Sequence, residues 1–252
     1  MRGFDHVETW VFDLDNTLYP HHLNLWQQVD DRIRSFIADY LKVPSEQAFR
    51  IQKDYYRRYG TTMRGLMTEH GLTPGGFLDF VHRIDHSPLQ PDAALGAALE
   101  RLPGRKLVLT NGTRAHADAV MRRLAVHQHF EDVFDIIAAD LEPKPAANTY
   151  RRFLDRHGVD PADKILYTTG RLTSEMIIKT VRMGIPILVS RSGFTAWGVD
   201  LARQVGLTLV GRARGKRFIV LSGAERIIYD QNLAFVEDES ARHKRKGGDR
   251  DE

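Results

Sequence analysis

Two aspartates, Asp13 and Asp15, stand one residue apart at the end of a short apolar run through Val11 and Phe12. In an extended chain, positions i and i+2 point to the same side, so both carboxylates can face one small site. Neighbouring anions repel unless a cation or a shared proton compensates. Mg2+, which takes one or two carboxylates together with waters and phosphate oxygens, suits such a pair. A bare Asp-x-Asp also describes an acidic turn after a strand, so the pair needs company before it means more. Thr110-Asn111-Gly112-Thr113 supplies some, because it follows an apolar run and precedes a helical pattern with Ala115, Val120, Met121 and Leu124. A hydroxyl, an amide and a glycine-freed backbone at a helix N-terminus favour a phosphate, although Asn-Gly is also a common turn. Lys144, held between Pro143 and Pro145, has limited backbone freedom. Its ammonium can be aimed at one point, where it would stabilise a transferred phosphoryl group and ease repulsion around Asp13.

These groups must be carried to one place by strands ending at a common edge, as in open α/β sheets. The run before Asp13 reads as a buried strand. Leu25, Trp26, Val29, Ile33, Phe36, Ile37, Tyr40 and Leu41 then recur at helical spacing. Pro44-Ser45 starts a second helix with Phe49, Ile51, Tyr55 and Tyr56, and glycines at 60, 65, 71, 75 and 76 punctuate shorter helices. Residues 21–91 are therefore expected to form an all-helical insertion, whose aromatics either pack the helices together or line a lid over the strand ends. Strands are expected at 106–110 and 133–139, then at 165–168, 185–189 and 207–210 with helices at 174–183 and 196–205 between them. A final strand pair is expected at 217–221 and 226–229, turning at Ser222-Gly223. Residues 231–252 are polar and charged, the composition of a disordered tail.

The chain has 252 residues, 42% of them hydrophobic, enough for one large domain or two small ones. It contains no cysteine, which excludes disulfides, thiolate metal sites and a cysteine nucleophile. No apolar run approaches the ~20 residues that span a bilayer, and the first seven residues lack a signal peptide's apolar segment. A cytoplasmic location follows by default, with no membrane partner. The formal charge of +3 is modest. Its basic runs near Arg212–Arg217 and Arg242–Lys246 read as solvated surface rather than a nucleic-acid site.

Asp13-Leu14-Asp15-Asn16-Thr17, Thr110-Asn111-Gly112 and Lys144-Pro145, in that order and with a helical insertion after the first, resemble the motifs of haloacid dehalogenase (HAD) phosphatases of the pyrimidine 5′-nucleotidase type. The resemblance covers residues 1 to about 163. It implies an α/β fold with a Rossmann-like parallel sheet, a core from 1–20 and 92–163, and a helical cap at 21–91. It also implies Asp13 as nucleophile, Asp15 as general acid and base, and Lys144 as a stabilising cation. Thr110, Asn111 and Gly112 would hold phosphoryl oxygens, and Mg2+ would bind Asp13 and the Asp15 backbone carbonyl. The implied substrate is a small phosphorylated metabolite such as a pyrimidine nucleoside 5′-monophosphate.

The family's fourth motif is a strand ending in acidic residues, but here the strand ends Thr168-Thr169-Gly170-Arg171, with no acid. Phe235-Val-Glu237-Asp238 imitates that motif without the helix and strand that should follow. From about Lys164 to Asp230 the chain resembles instead the C-terminal part of FdhD, an accessory sulfurtransferase of formate dehydrogenase. Its carriers are Leu166-Tyr-Thr-Thr-Gly-Arg, Met183-Gly-Ile-Pro-Ile-Leu-Val-Ser-Arg-Ser-Gly-Phe-Thr-Ala-Trp and Gly206-Leu-Thr-Leu-Val-Gly-Arg-Ala-Arg-Gly. This resemblance implies a βαβαβ unit at 164–230, completing or flanking the core, and formate dehydrogenase as a partner. Without cysteine the chain cannot transfer sulfur by that family's chemistry. Three expectations follow: a Mg2+-dependent phosphohydrolase with turnover reduced by the missing acid, an FdhD-like binding module, or an inactive chimeric fold.

Overall fold

A computed structural model describes residues 4–215 and 217–229. The fold is α/β, and its described strands form two sheets, of order β1-β2-β3 and β4-β5-β6-β7. The chain divides into two compact units, 1–161 and 162–252.

In the first unit β1 (Thr9–Phe12), β2 (Arg105–Leu109) and β3 (Asp132–Phe134) pair in parallel, with Phe12 opposite Val108 and Leu109 opposite Phe134. The strands therefore end together, which gathers Asp13, Thr110 and Asp135 at one edge. Gly104 lets β2 start hard against β1. Its φ is +74°, and a Cβ there would lie 2.3 Å from the Glu8 carbonyl oxygen, which accepts a hydrogen bond from Arg105 N. Two expectations change here. β1 is an edge strand among the described residues, so Val11 is 42% exposed instead of buried. β3 stops at Phe134 because the next carboxylate, Asp135, accepts from the backbone N–H groups of Ala138 and Arg114 (2.9 Å each), which turns the chain.

Between β1 and β2 lie α1 (Leu25–Leu41), α2 (Ser45–Tyr59), α3 (Thr62–His70), α4 (Pro74–Val81) and α5 (Ala93–Arg101). The first four form the helical insertion that the periodicity predicts. Ile37, Ala48, Tyr55, Leu66, Phe77 and Val81 close its core. Of the α1 positions at helical spacing, Leu25, Val29 and Ile37 are buried, whereas Trp26 and Tyr40 are exposed. α6 (Arg114–Arg123) follows β2 and packs Ala117, Val120 and Met121 against Leu14 and Leu18. α7 (Ala147–His157) follows β3.

In the second unit β4 (Ile165–Thr168), β5 (Ile187–Ser190) and β6 (Thr208–Arg214) are parallel, connected by α8 (Ser174–Arg182) and α9 (Ala196–Gln204). β7 (Arg217–Ser222) returns antiparallel to β6. The expected second strand of the terminal pair, 226–229, does not form. Residues Ala224–Arg226 make a 3-10 turn, and the hairpin instead runs through Gly215 at φ +59°, because β6 extends to Arg214. Leu172, Ile177, Leu188, Ala202 and Leu209 form its core. The expected tail at 231–252, and Glu237-Asp238 within it, lie outside the described residues. Among those described, no helix is long and apolar enough to cross a membrane.

Candidate active site

At the end of β1 the Asp13 carboxylate accepts from its neighbour's backbone, Leu14 N (2.9 Å to Oδ1), and from the Lys144 ammonium (2.7 Å to Oδ1). Lys144 also donates to the Leu109 carbonyl at 2.7 Å. Its backbone is clasped by Asn111, which accepts from Lys144 N at 2.7 Å and donates to Lys144 O at 3.2 Å. The first, second and third motifs thus meet: Asn111 fixes the lysine's backbone, and the lysine's charge is spent on Asp13. Asp13 is half exposed while Lys144 is largely covered.

Thr110 is buried, and its hydroxyl oxygen accepts from Gly112 N at 3.0 Å. These two groups of the predicted phosphate cradle therefore satisfy each other here. Thr113 N-caps α6 by accepting from His116 N, as a hydroxyl at that position should.

Asp15 lies deeper. Its Oδ1 accepts from the Tyr19 hydroxyl at 2.7 Å and from His116 Nε2 at 2.9 Å. Burial pushes this carboxyl upward, but the hydrogen bond and charge of His116, with the Tyr19 hydroxyl, outweigh it and hold the group below its ordinary value. Burial and the Asp15 charge push Tyr19 upward in turn. Tyr150 is pushed up to about 12 by burial and by Asp13. Burial and the neighbouring His116 lower His82 to about 4, against a smaller opposing pull from Asp15.

Tyr19, Tyr150, His82, His86 and His116 escaped the sequence reading. Tyr19, one helical turn after Asp15, and His116, in the first turn of the helix behind Thr110–Thr113, were the two with a positional signal.

The donor set for a metal is partial. Asp13 offers one carboxylate oxygen beyond its contact with Lys144, and Asp15 offers its backbone carbonyl while its carboxylate is anchored on Tyr19 and His116. Among the described residues no group of three or more His, Cys, Asp or Glu side chains is placed to hold a metal ion. Such a set fits Mg2+ only in the mode in which waters and substrate phosphate oxygens complete the shell.

The haloacid dehalogenase-like hydrolase family matches residues 7–166, and the chain belongs to it. The FdhD/NarQ family matches residues 153–228, so two family segments are joined in one chain. The sulfur carrier protein FdhD of Geobacillus kaustophilus is 35% identical over 97 residues, which are 38% of this chain and 37% of that protein. The chain thus spans little more than a third of that relative's length. The HAD phosphatase of Thermococcus onnurineus is 14% identical with a TM-score of 0.47, over 79% of this chain and 97% of that one. YfnB of Bacillus subtilis, solved bound to magnesium, is 13% identical with a TM-score of 0.44, over 79% and 99%.

Proposed function

We propose that the first unit hydrolyses a small phosphate monoester, such as a pyrimidine nucleoside 5′-monophosphate, in the cytoplasm. The observation that carries this reading is the 2.7 Å contact between Lys144 Nζ and Asp13 Oδ1, with Asn111 clasping the lysine's backbone. It unites three motifs that are far apart in sequence around one carboxylate at a strand end.

In the proposed reaction an Asp13 oxygen attacks phosphorus, the phosphorus–oxygen ester bond breaks, and its electron pair leaves with the alcohol oxygen, which takes a proton from Asp15. Asp15 then removes a proton from water, whose oxygen attacks the aspartyl-phosphate and releases phosphate. Held below its ordinary pKa, Asp15 is ready as the base; an anionic phosphate beside it would raise it for the acid step. Lys144 neutralises charge as the phosphoryl group moves. Thr110, Asn111 and Gly112 line the strand end where that group would sit. When bound, Mg2+ would be held by Asp13 and the Asp15 carbonyl and would neutralise charge between nucleophile and phosphate.

Phosphate release from UMP or CMP with Mg2+ present is the test, and Asp13→Asn is expected to abolish it. Indistinguishable wild type and variant would rule out catalysis at this site and leave an inactive fold. Because the sequence lacks the acidic fourth motif that the HAD resemblance implies, the rate is expected to be low and to rise with Mg2+ concentration beyond the range where tighter sites saturate.

The FdhD/NarQ match over 153–228 supports a second reading for the other unit: a binding module for formate dehydrogenase or a nucleotide-bearing cofactor. Gly170-Arg171 and the Arg212–Arg217 segment are its anion contacts in this reading. Retention of formate dehydrogenase on the immobilised chain, or guanine-nucleotide binding in calorimetry, would support it; the absence of both would refute it.

A further inference from the structure

We propose that His116 is a positioning residue for Asp15, and that two histidines from the segment where the helical insertion returns to the core, His82 and His86, hold its ring in place. The proposal deepens the phosphohydrolase reading and rests on it for its kinetic consequence.

The geometry is asymmetric. Both partners of the Asp15 carboxylate, the Tyr19 hydroxyl and His116 Nε2, end on Oδ1, and Oδ2 makes no hydrogen bond among the described residues. The two oxygens of a carboxylate together can accept about four hydrogen bonds. Here one oxygen is anchored twice and the other is left for a proton that comes and goes. An ionised carboxylate only accepts, so His116 Nε2 must carry a hydrogen, with Nδ1 on the other side of the ring. His86 Nε2 lies 3.4 Å from that Nδ1. His82 stacks on the His116 ring with centroids 5.0 Å apart and planes 24° from parallel, and its own Nδ1 donates to the Leu78 carbonyl at 3.1 Å. The His116 side chain is only 2% exposed, so these neighbours leave the ring one orientation. Its plane sets where Asp15 Oδ2 points. The insertion therefore reaches the proton-transferring group through a side chain that itself touches no substrate.

The test uses the full chain with p-nitrophenyl phosphate and Mg2+, together with nitrogen-15 NMR of the imidazoles. His116→Ala is expected to lower kcat about a hundredfold with KM little changed, the cost of a misdirected group. His116→Gln, whose amide can donate in place of Nε2, should recover about tenfold of that loss, and Tyr19→Phe should lose about tenfold by freeing Oδ1 from one anchor. In the wild type, NMR should show a hydrogen on His116 Nε2, with that signature altered in Asp15→Asn. Tyr19→Phe removes a single oxygen, so it remains informative should His116→Ala fail to fold. Equal kcat in wild type, His116→Gln and Tyr19→Phe would overturn the proposal, as would an Nδ1–H tautomer at His116. The phosphohydrolase reading fails differently, by the absence of Asp13-dependent turnover in the wild type; the tautomer and its dependence on Asp15 then still decide whether the anchor exists.

Discussion

Asp13 and Asp15 are the same residue type two positions apart, and their surroundings divide the work between them. Asp13 is half exposed and faces a lysine; Asp15 is enclosed and faces a phenol and an imidazole. Removing the lysine should therefore free Asp13 and the Leu109 carbonyl while leaving the Asp15 contacts in place. Lys144→Ala is expected to lower kcat by about a hundredfold or more, and the ratio of rates for wild type and variant on UMP checks it. The histidines give a pH signature. His82 titrates near 4 in the fold because of burial and of His116 and His86 beside it, against about 6.5 when unfolded. Between those values the unfolded chain binds the proton first, so stability falls as pH drops from about 6.5 to about 4, by on the order of 3 kcal/mol, and levels off below. Asp15 adds a second loss at lower pH, since a carboxyl held below its ordinary value contributes stability that disappears as pH falls through its folded value. Urea titrations at successive pH values should show the upper slope vanish in His82→Gln.

The elements show how far local pattern reaches. Apolar periodicity was enough for α1 and α2, because one face of each helix is buried against its neighbours, and the strand-then-helix alternation marked β4, α8, β5 and α9 closely. Periodicity could not say that β1 is an edge strand, since the partner of a strand is chosen by the tertiary fold. Nor could it see that Asp135 would end β3 by capping the turn that follows. Ordered motifs singled out Asp13, Asp15, Thr110–Gly112 and Lys144 as candidates, and the fold brings Asp13, Asn111 and Lys144 together. The site's histidine layer was not legible, because His116 lies in a different segment from His82 and His86, and the three become a group only when the insertion folds back. Gly104 is the element-scale test. Its positive φ and the 2.3 Å approach to Glu8 leave no room for a methyl group, so Gly104→Ala should destabilise the first unit by about 2 kcal/mol or more, visible as a lower urea midpoint.

At the scale of the whole molecule, each sheet has its own buried cluster: Leu107, Leu109 and Phe134 on one, Leu188 and Leu209 on the other. A cavity in the second cluster should act where it is made. Leu188 is fully buried, and Leu188→Ala is expected to cost about 2–5 kcal/mol. Hydrogen exchange should then lose protection in β4–β7 and retain it in β1–β3; uniform loss would mean that the two cores unfold as one. The boundary at 161/162 lies within the 153–166 overlap of the two family matches, so the structural seam and the seam in ancestry coincide.

The clasp between Asn111 and Lys144 also bears on how this protein ages. Asn-Gly is a sequence at which the glycine nitrogen can attack the asparagine side-chain carbonyl and expel ammonia, giving a cyclic imide that water then opens to aspartate or isoaspartate. Here the attacking nitrogen is occupied with the Thr110 hydroxyl, and both ends of the Asn111 amide are held by one lysine's backbone. The folded site thereby shields this Asn-Gly bond. Conversion to aspartate would set an anionic oxygen against the Lys144 carbonyl and release the lysine that faces Asp13. Thr110→Val, which frees the Gly112 nitrogen, should accelerate that conversion on storage, as followed by peptide mass spectrometry, with loss of turnover running in parallel.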